Sequence, residues 1–222
     1  VTAAAPEPVD DTEPERIVEA CRRLGLKHVI ITSVTRDDLP DGGARHFRRC
    51  AALLGYEERR PVVEVLVPDF GGDLEAVELV ASAGIDVFGH NLETVKRLYP
   101  VVRPQTDYAR SLGILEHVRS GSYGVMVKSG LMLGLGEKIE EVKSAIRDLA
   151  DIGCDIVTIG QYMRPSRAHL GVRIYVEPEV FDELGSYARD LGMHVVSGPM
   201  VRSSYKAEEA FRSASLRRQI CA

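Results

Sequence analysis

The segment Val29–Ala44, VIITSVTRDDLPDGGA, sets three carboxylates (Asp37, Asp38, Asp41) and Arg36 just ahead of a glycine pair, Gly42 and Gly43. Carboxylate oxygens ligate hard cations, so a metal site is one reading. The favoured reading is that the glycines let backbone approach a ligand that a Cβ would exclude. The plainest reading is an acidic turn that caps the next helix. Further along, HNLET places Asn91 and Glu93 two residues apart after an apolar strand. Alternation puts both on one side of that strand end, where an amide and a carboxylate suit an amine, a hydroxyl pair or a ribose. Local helix capping is the alternative.

Lys128 follows a third apolar run, GVMV. An ammonium at the end of a buried strand is costly without a partner. It suits a Schiff-base nucleophile, a cation for a carboxylate or phosphate, or a structural lysine that snorkels. GQYMRPS and the histidine after it offer Arg164 and His169 to a substrate, although a lone histidine is more often structural. RSSY, Arg202–Tyr205, gives two hydroxyls and a guanidinium in a loop and is unremarkable by composition. GLGE at Gly134–Glu137 lacks the last glycine of a dinucleotide fingerprint, because Ile139 holds its place. It reads as a turn into a helix with Glu137 near the positive end.

Strands and helices must alternate to position these groups. Apolar runs predict strands at residues 28–34, 62–67, 86–89, 124–127, 156–159 and 194–196, each followed by polar or glycine residues. Helical periodicity predicts helices from Thr12, with Glu15 at capping-box spacing, and at 44–54, 74–83, 94–99, 108–118, 139–152 and 178–191. A basic, alanine-rich helix closes the tail. Alternation of this kind implies a parallel sheet with right-handed crossovers. Chemistry after every strand implies a barrel with one functional rim rather than a doubly wound sheet with one switch point. Six strands are too few to close an eight-fold barrel, so the expected fold is α/β, a partial, open TIM-type barrel. Residues 1–201 are expected to form the barrel and 202–222 a tail.

A chain of 222 residues with 45% apolar and 27% charged residues suits one globular α/β domain. The net charge of −5 argues against a nucleic-acid partner, and no apolar run is long enough to span a bilayer. The four cysteines, Cys21, Cys50, Cys154 and Cys221, form no close-spaced pair and read as reduced, mostly buried thiols. The opening Val1 and the acidic, proline-rich run behind it read as the middle of a longer protein.

Read in order, TSVTRDDLPDGGA, VPDF, HNLETV, VRP…DYARSL, KSGLMLGLGE, GQYMRPSRAH, YVEPEVF and SGPMVRSSY resemble the lipoyl synthase family of radical S-adenosylmethionine (SAM) enzymes across almost the whole chain. The resemblance implies insertion of two sulfurs, at C6 and C8 of an octanoyl chain carried on a protein lysine. It implies SAM and two 4Fe-4S clusters, one that cleaves SAM and an auxiliary one that is the sulfur source. Carried over residue by residue, Gly42 and Gly43 match the glycine pair that meets the methionine end of SAM. Asn91 and Glu93 match polar contacts to SAM, with Lys128 a further candidate. Ser203 matches the serine ligand of the auxiliary cluster, and Arg164 and His169 are weaker candidates for the carrier or the fatty chain.

The implied partners are octanoylated lipoyl domains of carrier proteins, namely 2-oxoacid dehydrogenase E2 subunits and the glycine cleavage H protein. Ferredoxin or flavodoxin is the implied electron donor. The implied location is bacterial cytoplasm or mitochondrial matrix. One departure is large: the family's CxxxCxxC and its second cysteine trio are absent from these 222 residues. The resemblance implies that these cysteines and the first barrel strand lie upstream, so the chain alone is expected not to insert sulfur. Two rivals are a Schiff-base lyase of β/α-barrel type using Lys128, and a non-catalytic fragment that binds SAM or the carrier.

Overall fold

The computed structural model describes residues 6–221, and side chains through residue 218. Strands β1 (His28–Thr32), β2 (Val62–Leu66), β3 (Val87–Gly89), β4 (Met126–Leu133), β5 (Ile156–Gln161) and β6 (His194–Ser197) form one six-stranded sheet in sequence order. Every neighbouring pair is parallel, and β1 and β6 are not paired with each other. The sheet is thus an open, partial barrel, as the alternating pattern requires. Helices α1 (Glu13–Leu24), α2 (Ala44–Gly55), α3 (Leu74–Ala81), α4 (Tyr99–Val102), α5 (Tyr108–Ser120), α6 (Ile139–Asp151) and α7 (Pro178–Asp190) fill the crossovers. Helix α8 (Ala207–Cys221) follows the last strand. None of these helices is long and apolar enough to cross a membrane.

Two apolar layers follow from strand alternation. Val65, Phe88, Val127 and Ile159 on one strand face pack with Leu54, Val80, Leu115, Ile146 and Phe181 of the helices. On the other face Val87, Met126 and Ile156, each at a strand's first residue, pack with Ala210 and Ala214 of α8. Phe211 sets its ring edge-on to His28, with centroids 6.2 Å apart. Helix α8 therefore plugs the amino end of the lumen. Arg218 holds it there by pairing with Asp155 at 3.0 Å and donating to the Val125 carbonyl.

Three local expectations need correction. The strand expected at 124–127 runs from Met126 to Leu133, because Ser129 and Gly130 hide their break in polarity inside pairing to β5. Lys128 therefore lies within a strand rather than at its carboxyl end. Thr12 forms no side-chain cap; its hydroxyl bonds Asp10 instead, at 2.7 Å. The helix expected at 94–99 is a 3-10 turn, Lys96–Leu98, before α4, since Thr94 follows a backbone bridge that holds Glu93 against Leu131. Cys21, Cys50 and Cys154 are buried, and the Cys221 side chain lies outside the described residues.

Above the plug the lumen is charged. Lys128 Nζ lies 2.6 Å from Glu64 Oε1, with both side chains 3% exposed, and donates at 2.7 Å to the Ser203 backbone carbonyl. His28 Nε2 lies 3.2 Å from the other Glu64 oxygen. Removing one member of such a pair strands a buried charge, at a cost of about 3–5 kcal/mol. Lys128→Met is expected to lose that much in urea unfolding, and Glu64→Gln with Lys128→Met to recover most of it. Unchanged stability in Lys128→Met would refute this account of the lumen.

Candidate functional site at the barrel mouth

Small residues open the carboxyl end of the lumen. A Cβ on Gly130 would come within 2.8 Å of Asn91 Oδ1 and Thr158 Oγ1, so the glycine makes room for the asparagine. Gly160 faces the Val201 carbonyl so closely that any side chain would displace the β6–α8 loop. Three hollows then run across the strand ends. One of about 330 Å³ lies among Asn91, Glu93, Gly130, Gln161, Arg202 and Ser203. A second, about 220 Å³, shares Leu66, Asn91 and Glu93 with it and adds Thr32, Ser33, Thr35, His90 and Arg103. A third, about 460 Å³, shares Thr32 and Ser33 with the second and reaches Arg36, Gly43 and His46 beside β1.

Asn91 and Glu93 are built in by strain and by pairing. Glu93 has φ +66°, a left-handed backbone that a non-glycine residue adopts at a cost. Its N–H donates to the Gly130 carbonyl at 2.9 Å, and Met132 N–H donates to its own carbonyl at 2.8 Å. Leu92 N–H donates to Ser129 Oγ at 3.2 Å. The short segment is therefore clamped to β4, and Asn91 Nδ2 reaches Glu93 Oε1 at 3.1 Å. Burial pushes the Glu93 carboxyl up, against the Asn91 hydrogen bond and the Arg103 charge.

Arg103 is the member that the residue-by-residue reading overlooked. Its guanidinium donates to the Asn91 carbonyl at 2.8 Å and sits 5.8 Å from the Tyr99 ring centroid. It forms no ion pair with a carboxylate among the described residues, and it lines the hollow that holds Asn91 and Glu93. A half-buried, aromatic-backed cation with spare donors is a binding group for an anion such as a carboxylate. The sequence signal was VRP, twelve residues beyond Asn91, where chain length gives no hint that the backbone doubles back.

The other expected residues separate. Gly42 and Gly43 take φ +57° and +90°, as a glycine pair permits. Gly43 lines the third hollow, whereas Gly42 packs against the Phe70 ring. The aspartates beside them are occupied: Asp38 pairs with Arg36 at 2.7 Å, and Asp41 accepts from the Gly43 and Arg45 N–H groups at the start of α2. Lys128 lies deeper, clasped by Glu64 and the Ser203 carbonyl, and lines none of the three hollows. That arrangement sets its ammonium beneath the mouth wall and leaves its nitrogen no open face for a carbonyl substrate. Arg164 donates to the His169 and Arg167 carbonyls, and His169 Nδ1 meets Ser166 Oγ at 2.9 Å, so both brace their own exposed loop outside the hollows.

The described cysteines do not fit an iron–sulfur cluster. Cys21, Cys50 and Cys154 lie on α1, on α2 and just before β5, and burial pushes their thiols up, Cys50 to about 11 and Cys154 to about 12. No group of three or more His, Cys, Asp or Glu converges among the described residues. Ser203 supplies one hydroxyl at the mouth wall. The furrow itself does fit a zwitterionic nucleoside: a carboxylate and amide pair, a free guanidinium and a row of hydroxyls.

The signature of the Radical SAM superfamily matches residues 3–149, which makes this open parallel barrel a radical-SAM-type protein. The lipoyl synthase of Caldanaerobacter subterraneus subsp. tengcongensis is 53% identical over 207 residues, covering 91% of this chain and 72% of that protein. The lipoyl synthase of Methylococcus capsulatus is 52% identical over 211 residues, 94% of this chain and 66% of that protein. The chain belongs to the lipoyl synthase family, and so to the sulfurtransferases. Distant solved structures share the fold alone. HydG, a maturase of the [FeFe]-hydrogenase, superposes with a TM-score of 0.66 at 16% identity over 95% of this chain and 48% of its own. Streptococcus suis SuiB bound to S-adenosylmethionine gives 0.62 at 12% identity, over 84% and 42%.

His90 shows how tightly the mouth is built. It is buried, with Nδ1 2.9 Å from the Val67 carbonyl and Nε2 3.1 Å from Ser111 Oγ. Burial pushes it down from 6.5 to about 4, so the fold holds it neutral. Unfolded chain binds the extra proton first, so this stability is complete above pH 6.5 and is lost as the pH falls toward 4. The loss reaches about 3 kcal/mol. Urea unfolding from pH 7.5 to 4 should be steeper in pH for the wild type than for His90→Gln. Parallel curves would contradict the assignment.

Proposed function

We propose that the barrel mouth holds SAM, with Arg103 on its carboxylate, Asn91 and Glu93 on polar groups of its ribose or amine, and Gly43 beside the methionine end. The unpaired Arg103 guanidinium next to the strained Glu93 carries this reading. SAM, once bound and reductively cleaved, supplies the radical that removes hydrogen from an unactivated chain, which no side chain can do. The protein's own part is to bind and orient, and to keep water from the lumen through the α8 plug.

In this reading the substrate is an octanoyl chain on a lipoyl carrier domain, of the 2-oxoacid dehydrogenase E2 or H-protein type, and a ferredoxin or flavodoxin delivers electrons. Ser203, on the mouth wall, is the oxygen donor toward an auxiliary cluster, with Lys128 holding its backbone from beneath as a positioning residue. The Lys128 lyase reading is not favoured, because the ammonium is already spent on Glu64 and Ser203.

Calorimetric titration of the chain with SAM tests the proposal. A charge-assisted hydrogen bond is worth about 1.5–3 kcal/mol, or roughly ten- to a hundred-fold in affinity. Arg103→Met is expected to weaken SAM binding by about that factor, and Asn91→Ala to weaken it as well. Equal affinity for wild type and Arg103→Met would overturn the assignment.

A further inference from the structure

The loop after β5 and the loop after β6 carry cations without carboxylates of their own. Residues 162–176 contain three arginines and no carboxylate, and residues 198–206 contain Arg202 and Lys206 and no carboxylate, in a chain whose net charge is −5. The four arginines of these two loops form no ion pair among the described residues, while Lys206 pairs with Glu209 of α8 at 3.7 Å. Arg164 turns inward to its own loop, but Arg167, Arg173 and Arg202 are exposed.

Both loops rise beside the mouth. Arg173 N–H donates to the Gly134 carbonyl at the end of β4, Gln161 Nε2 donates to the Ile174 carbonyl at 3.2 Å, and Arg202 and Met163 line the 330 Å³ hollow. Among the guanidiniums stand exposed apolar side chains: Met163 at 51%, Tyr175 at 67% and Met200 at 79%. Large exposed Met and Tyr among unpaired arginines have the composition of a protein interface.

We infer that this rim is the docking surface for the carrier domain, and that it engages an acidic face around the acylated lysine. The inference rests on the proposed function for the partner's identity. Three features favour a protein over a nucleic acid or a lipid surface. The positive patch is small, the chain around it is acidic, and the apolar side chains flank a hole into which an acyl-lysine arm can pass. Charges at such a rim steer association and make it salt-dependent.

The test measures binding of the 222-residue chain to an octanoylated lipoyl domain and to the same domain without its octanoyl group, from low to high salt. A DNA duplex and phosphatidylglycerol vesicles serve as competitors. The octanoylated domain should bind, weakening at least tenfold as salt rises. Arg167→Glu with Arg173→Glu should weaken it at least tenfold and flatten the salt dependence, with an unchanged melting temperature. The non-acylated domain should keep the charge-dependent part, so a failure of sulfur insertion or of SAM binding would leave this result standing. Binding unaltered by the charge reversals would overturn the surface. DNA or vesicles held more tightly than the carrier, and released by the same reversals, would overturn the partner.

Discussion

The ion pair between Lys128 and Glu64 is the constraint around which the barrel is arranged. A lysine and a glutamate in the lumen of a small barrel can exist only if each satisfies the other. Their position fixes what lies below and above. Below, α8 closes the amino end with Ala210, Ala214 and Phe211, keeping the pair dry. Above, the Lys128 ammonium reaches the Ser203 carbonyl and ties down the loop that forms one wall of the mouth. The tail is therefore part of the barrel's packing, and its first turn is held by a residue in the middle of β4.

The mouth depends on a second device, backbone strain held by pairing. Glu93 is left-handed and bridged to β4, so its carboxyl and the Asn91 amide sit at one depth with little freedom to relax. Gly130 and Gly160 clear the space in front of them. Arg103 arrives from α4's far end and brings to the 220 Å³ hollow a cation that no carboxylate neutralises among the described residues. A preorganised set of this kind loses little ordering entropy when a ligand enters.

Much of this was legible in the residues. Alternation of apolar strands and amphipathic helices gave the parallel open barrel, and the polar residues after each strand gave the rim. The ordered motifs pointed to lipoyl synthase, to which the chain belongs. What could not be read were contacts across distant elements. Nothing near Lys128 says that Glu64 lies opposite, because the two are brought together only by β2 and β4 flanking β3. Ser129 and Gly130 looked like the end of a strand because polarity cannot distinguish a mouth-lining strand from a loop. Arg103 sat in a turn of no regular period. Arg164 and His169 had suitable chemistry, yet their hydrogen bonds stay within one loop.

The most direct test of the account is a crystal structure of the chain soaked with SAM. The account predicts the amino-acid carboxylate within hydrogen-bond reach of Arg103 and the ribose or amine against Asn91 and Glu93. SAM lodged only in the 460 Å³ hollow around Arg36 and His46, with Arg103 and Glu93 untouched, would contradict it.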